Sequence, residues 1–252
     1  QKRPWLFGSL ALLFMIVLAI PMFSMRSGFP DAGGRAEGNT TRIAYDLTTE
    51  GFGAGANGPF LVVVEMPSAA SVPAANALSQ QLAKTPGVAT ASPVIPGTPA
   101  VTPDGTTAII QVQPTTGPQD QATSDLLENL RTNVIPAATA GTGLTAYVGG
   151  STAVVDDFSQ VLSDALPLFL AVVVGLGFLV LVLLFRSLVI PLTAAVTALL
   201  SFGAALGITV FVFQWGYLTD IFGVTGTGPI LPFLPIMLFS ILFGLSMDYQ
   251  VF

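Results

Sequence analysis

Two adjacent residues near the end of the chain, Asp248 and Tyr249, could exchange protons within a strongly apolar run. They lie in the stretch ILFGLSMDYQVF, residues 241–252. An ionised carboxylate inside a bilayer is unfavourable by a few to about 10 kcal/mol or more, and acids in such runs usually serve a function. Desolvation favours the protonated form of a carboxyl group, and the neighbouring phenol can relay a proton. The pair is therefore a candidate proton relay.

The residues around Asp248 favour a site between helices. Gly244 precedes Asp248 by one helical turn, so a second helix could approach the carboxyl closely. Ser246 and Gln250 add polar groups to the same run. If the helix begins near Ile230, Asp248 lies about 27 Å along it, whereas a later membrane boundary places it deeper. The alternative to a relay is a simple hydrogen bond between helices.

The composition is that of a membrane protein. Of the 252 residues, 52% are hydrophobic and only 9% are charged, against about 25% charged in soluble domains. Neither cysteine nor histidine occurs, which removes disulfides, the commonest general base and the commonest transition-metal ligand. We therefore predict no catalytic residue, no metal site and no cofactor. The net charge of −6 argues against nucleic acid as a partner.

Four apolar runs reach the length of about 20 residues that one membrane crossing needs. They are residues 4–25, 165–185, 188–213 and 230–252. The predicted organisation is a first transmembrane helix (1–25), an extracytoplasmic subdomain (26–163) and three further transmembrane helices (164–252), the last of them truncated. The first run is too long for a signal peptide. Because the chain begins with Gln1 and ends inside an apolar run, we expect a fragment of a longer protein.

The basic residues near the short loops predict the orientation. Lys2, Arg3 and Arg186 fall on one side of the membrane by alternation, and the short loop 214–229, whose only charge is Asp220, falls on the other. The positive-inside rule makes the first side cytoplasmic. The region 26–163 then lies outside.

The region 26–163 is predicted to be an α+β subdomain. Alternating or apolar runs bounded by turn residues indicate strands, and Leu pairs at helical spacing indicate helices. The predicted strands are 60–66, 88–95, 106–113 and 144–150, and the predicted helices are 71–85 and 118–135. The order βαββαβ is that of a split-βαβ, ferredoxin-like fold. A further helix over 151–164 leads into the second span, and its Asp156, Asp157 and Asp164 are expected to be solvated.

Two glycine patterns have structural interpretations. The GAGANG run (53–58) matches G-x-G-x-x-G, but it precedes a strand instead of opening a helix, so it predicts a tight turn. Gly203 and Gly207 form a small-xxx-small pattern in the third span, which predicts close helix packing. On the same helix Thr193, Thr197 and Ser201 either bond back to carbonyls one turn earlier or line a wet path.

Several stretches together resemble the MMPL lipid and drug exporters of the resistance-nodulation-division superfamily. FGLSMDYQVF resembles the Asp-Tyr motif of that family. EGFGAGANGPFLVVVE, VGGSTAVVDDFS, LLFRSLVIPLTAA and GPILPFLPIMLFSILFGLSMDYQVF also resemble its pattern, and together they span most of the chain.

The resemblance implies one half of a duplicated, proton-motive-force-driven exporter of lipids or other hydrophobic compounds in a bacterial plasma membrane. It implies that Asp248 and Tyr249 carry protons together with a second Asp-Tyr pair from the other half. The Met-Asp-Tyr sequence resembles the motif of the family's second half more than that of its first half. Gln250 stands where the family pattern leads us to expect Glu, which changes the charge beside the relay.

Two other classes of membrane protein are alternatives to a transporter. A non-transporting receptor or accessory component of the same superfamily, such as a sterol-sensing or translocation factor, would share these motifs. An intramembrane aspartyl protease needs two facing aspartates, and the four runs contain only Asp248.

Overall fold

The apolar runs and the alternating strands fold into two units. The computed structural model describes residues 4–223 and 226–251, and at Pro4 and 248–251 it describes the backbone alone. One unit comprises Gln1–Pro30 and Phe158–Phe252, and the other comprises Asp31–Asp157. We refer to them as the membrane unit and the α+β unit.

The described elements are named in chain order. The helices are α1 (Pro4–Ala19), α2 (Thr40–Phe52), α3 (Val72–Ala83), α4 (Gln121–Asn129), α5 (Ile135–Thr139), α6 (Ser151–Phe185), α7 (Val189–Thr209), α8 (Thr219–Phe222) and α9 (Leu234–Val251). The strands are β1 (Phe60–Glu65), β2 (Val88–Ala91), β3 (Thr107–Pro114) and β4 (Thr145–Gly149). Two π-helical turns, Leu130–Val134 and Val210–Gln214, follow α4 and α7.

Three helical segments have the length and apolar composition to cross a membrane. They are Trp5–Ser24, Ser151–Phe185 and Val189–Gln214, which match three of the four predicted spans. The fourth run forms α9, whose described apolar part, Leu234–Met247, is shorter and extends about 21 Å at ~1.5 Å per residue. The count of four spans therefore stays a prediction.

The core of the membrane unit is an aromatic cluster centred on Phe239 of α9, which is fully buried. Its ring meets Phe202 of α7 at a centroid distance of 5.2 Å and Phe169 of α6 at 6.1 Å, both edge-on. Phe243, one turn further along α9, stacks on it at 5.3 Å. Edge-to-face pairs add about 0.5–1.5 kcal/mol to the effect of burial, so this cluster fixes α9 against α6 and α7.

The segment that leaves α1 is held by main-chain and amide hydrogen bonds. The side chain of Gln214, on the π-helical turn after α7, donates to the Ser24 carbonyl and accepts from the Arg26 amide, both at 2.8 Å. The amide of Ile230 donates to the Arg26 carbonyl, and its own carbonyl accepts from Gly28. These bonds connect the ends of α1 and α7 with the segment before α9.

The α+β unit contains a four-stranded antiparallel sheet in the order β2-β3-β1-β4. Its strands and helices alternate along the chain as the sequence predicted. One face of the sheet is buried under α3 and α4, as the alternation in β1 and β3 requires. That core includes Phe60, Val62, Val64, Ile110, Val112, Leu78, Leu82, Leu127 and Leu130. The other face leaves Leu61, Ile109 and Tyr147 exposed.

Helix α2 was not predicted from the sequence. Asn39 caps it, because its side-chain oxygen accepts from the Thr41 amide at 3.0 Å and satisfies one of the free N–H groups of the first turn. Gly53, with φ of +89°, ends it. The glycine-rich run then forms a short 3-10 turn, Ala54–Asn57, directly before β1, which confirms the predicted turn.

The turn before β1 gives a stability prediction. A Cβ at Gly55 would lie 1.9 Å from the carbonyl oxygen of Pro114, so Gly55→Ala forces two backbone segments apart. We expect it to lower the free energy of unfolding of the α+β unit by about 2 kcal/mol or more, measured by pulse proteolysis. Gly51→Ala is the control, because a Cβ there meets no atom within 4 Å and alanine favours the helix by roughly 0.5–1 kcal/mol. Equal effects of the two substitutions would contradict the assigned contact.

Candidate functional site

One face of α9 packs against α6 immediately before the predicted relay. A Cβ at Gly177 of α6 would lie 2.6 Å from the Phe243 ring and 3.2 Å from the Met247 methyl group. Gly177 is buried, and the Phe243 ring and the Met247 methyl group reach the backbone of α6 there because Gly177 has no side chain. Sequence reasoning missed this residue, although the GLG at 175–177 interrupts a run of Val, Leu and Phe.

The opposite face of α9 has few neighbours among the described residues. Met237, Ile241 and Leu245 are each more than half exposed, and a Cβ at Gly244 would meet no described atom within 4 Å. With 3.6 residues per turn, position 248 follows Ile241 by seven residues and Gly244 by four, so its register places it on this face. The side chains of Asp248 and Tyr249 themselves lie outside the described residues.

The structure separates the predicted packing glycines into two groups. Gly203 and Gly207 of α7 lie against the end of α1, where added Cβ atoms would lie 3.3 Å from the Ala19 Cβ and 1.9 Å from the Leu18 carbonyl oxygen. They therefore stand at a close contact between α7 and α1. Gly244 lies on the open face of α9, and its role beside the relay stays a prediction.

The threonines of α7 bond to their own helix. Thr193 Oγ1 donates to the carbonyls of Val189 and Ile190, and Thr197 Oγ1 donates to those of Thr193 and Ala194, at 2.8–3.1 Å. Their hydroxyl protons are used in these bonds, so the structure favours back-bonding over a wet path.

The acidic residues at the start of α6 are bound to side chains of the α+β unit. Asp156 accepts from Ser124 Oγ at 2.5 Å, and Asp157 forms an ion pair with Arg131. These partners lie 32 and 26 residues earlier in the chain and were not predicted. Asp157 remains 48% exposed and Asp164 is exposed, in line with the expected solvation. Hydrogen bonding to Asp157 raises the pKa of the Arg131 guanidinium.

Metal chemistry has no support in the described residues. Within residues 4–223 and 226–251, no group of three His, Cys, Asp or Glu side chains that could hold a metal ion is found.

Long apolar helices around an aromatic core, with an α+β unit inserted after the first of them, define a polytopic membrane protein. A family model described as the MMPL family matches residues 40–252. The chain belongs to the MMPL family, which confirms the resemblance in its motifs. This is a family of transporters and not of enzymes.

Relatives match the chain along its whole length. Membrane protein YdfJ of Bacillus subtilis is 42% identical over 251 residues, and the match covers 100% of this chain and 34% of YdfJ. The mycolic acid-containing lipids exporter MmpL11 of Mycolicibacterium smegmatis is 30% identical over 258 residues, with 26% of it covered. The heme uptake protein MmpL11 of Mycobacterium tuberculosis is 29% identical over 257 residues, also with 26% covered. The chain thus spans about a third or less of these relatives.

The contact between α6 and α9 gives a second prediction. We expect Gly177→Val to displace Phe243 and to lower the stability of the intact protein by about 1–3 kcal/mol, the usual effect of overpacking, seen as a lower melting temperature in detergent. Gly175→Val is the matched control, because it carries the same change in helix propensity and a Cβ there meets nothing within 4 Å. If the two variants melt alike, the packing of Phe243 on Gly177 does not contribute to stability.

Proposed function

We propose that the complete protein is a proton-motive-force-driven exporter of lipids or other hydrophobic compounds in a bacterial plasma membrane. Asp248 and Tyr249 would form one half of its proton relay. The observation that carries this proposal is the register of position 248 on the open face of α9, opposite the aromatic core. An acid on such a face has room for a partner from a part of the protein beyond this chain, and the other half would supply a second Asp-Tyr pair.

The proposed mechanism couples charge to packing. When Asp248 is ionised, its face of α9 favours a polar or hydrogen-bonded neighbour, since an unpaired charge in the membrane is unfavourable. Protonation from outside removes that charge and permits closer apolar packing along Met237, Ile241 and Gly244. Release of the proton inside restores the first arrangement. Tyr249 would pass the proton between Asp248 and water.

The proposed orientation places the N-terminus in the cytoplasm and residues 26–163 outside. Lys2, Arg3 and Arg186 support this through the positive-inside rule. We also propose that the α+β unit is a ferredoxin-like porter subdomain. The order of its elements and the strand order β2-β3-β1-β4, with every neighbouring pair antiparallel, support that assignment.

The names of two relatives are both consistent with a hydrophobic cargo. The M. smegmatis relative is named as an exporter of mycolic acid-containing lipids, and the M. tuberculosis relative as a heme uptake protein. Lipids or other hydrophobic compounds are the proposed substrate class, as the motif resemblance implies.

Replacement of the acid tests the proposal. In the full-length protein, Asp248→Asn keeps the size of the side chain but cannot ionise. We expect it to reduce export at least tenfold and to abolish its dependence on the proton gradient, measured as the difference in cell-surface lipids between expressing and gene-deleted cells. Asp220→Asn, at an exposed aspartate of α8, is the control and should export normally.

Two outcomes would reject the proposed function. Unchanged, gradient-dependent export by Asp248→Asn would remove the relay. Retention of a specific lipid by the intact protein without any gradient-driven flux would favour the non-transporting receptor instead.

A further inference from the structure

We propose that Arg131 is a positioning residue for transport, which holds the first two turns of α6 to the rest of the α+β unit. A displacement of α6 caused by the relay would then be transmitted to that unit. The inference rests on the proposed function, because it concerns how the predicted proton cycle reaches the part of the protein that would handle the substrate. We call the residues Thr152, Asp156 and Asp157, with the groups that bind them, the α6 anchor.

The α6 anchor contains a bidentate ion pair. Arg131 donates from both terminal nitrogens to the Asp157 carboxylate, with Nη2 to Oδ2 at 2.9 Å. Nη2 also donates to the Val148 carbonyl of β4 at 2.8 Å. The side chains of Arg131 and Asp157 are 32% and 48% exposed, so the pair is only partly screened by water. Lysine could not reproduce this planar fork.

The backbone places Arg131 for this role. Arg131 lies on the π-helical turn Leu130–Val134, between α4 and α5. Such turns are uncommon and often occur at functional sites, because the extra residue per turn redirects the side chains around it. The neighbouring Leu130 remains fully buried in the core. The turn thus places the Leu130 side chain in the core, while the Arg131 side chain bonds to α6 and β4.

Two further contacts hold the same turns of α6. The buried Thr152 donates from Oγ1 to the Gly58 carbonyl at 2.9 Å, and Asp156 accepts from Ser124 of α4. Gly150, with φ of +100°, is the only residue between β4 and α6, so the helix starts directly at the sheet. Together these contacts connect α6 to the glycine-rich segment before β1, to α4, to the π-helical turn Leu130–Val134 and to β4.

The same helix takes part in the contact beside the relay. Residues of α6 up to Asp157 belong to the α+β unit, and those from Phe158 onward belong to the membrane unit. Gly177 of α6 contacts Phe243 and Met247 of α9, and Met247 directly precedes Asp248 in the chain. A change of packing on α9 therefore acts on a helix whose beginning is fixed to the α+β unit.

Hydrogen exchange of the intact, full-length protein in lipid nanodiscs tests the inference without a known substrate. Asp248→Asn serves as a permanently neutral relay. With Arg131 present, we expect this substitution to change the exchange rates of amides in residues 121–149 at least threefold. In the Arg131→Met background, the same substitution should change them less than 1.5-fold. Because each comparison is made within one background, general loosening of the α+β unit by Arg131→Met cancels.

Matched variants separate positioning from stability. Asp46→Asn removes the carboxylate of an ion pair that lies within α2 and should leave the response to residue 248 intact. Arg131→Lys retains the charge without the fork and should respond weakly, which covers the case in which Arg131→Met does not fold. A full response in the Arg131 variants, or no response when Arg131 is present, overturns the inference. The proposed function is judged separately, by export in Asp248→Asn.

Discussion

Burial of Phe239 between α6 and α7 is the interaction on which the arrangement of the membrane unit depends. It turns one face of α9 inward, so the register of the helix leaves the face with Ile241 and Gly244 outward. In a lipid environment hydrophobicity does not favour one helix face over another, and close packing of aromatic and small residues decides. Phe243, stacked on Phe239, and Gly177 supply the large and the small partner of that packing. The register of position 248 follows from this choice of faces.

The sequence predicted the α+β unit well, because period-2 alternation and turn residues are local signals. The GAGANG turn before Phe60 and the strand of residues 106–113 were found in this way. Helix α2 was not predicted because no apolar run follows Asn39-Thr40-Thr41, the residues at its N-terminus. The apolar side chains Ile43 and Leu47 of α2 are exposed. The helix therefore lacks the buried apolar face whose spacing usually predicts a helix.

Contacts between distant residues could not be read from the sequence. Nothing local to Arg131 indicates that it reaches Asp157, and the π-helical turn that directs it has no reliable sequence signal. Gly177 differs from Gly175 only in which side of α6 it occupies, and that side is set by where α9 packs. The Asp-Tyr motif could be found in the sequence because a carboxyl group is unusual in an apolar run. Glycines are common in such runs, so Gly177 gave no comparable signal.

The open face of the sheet has a practical consequence for biochemistry. Leu61, Ile109 and Tyr147 form an apolar surface on β1, β3 and β4, with Val63 paired between Ile109 and Tyr147. Excised as a soluble domain, residues 31–157 would present this surface to water, together with the apolar side chains of α2. Contiguous exposed apolar surface promotes self-association. Work on the isolated domain would therefore call for polar replacements on this face before its monomeric behaviour could be studied.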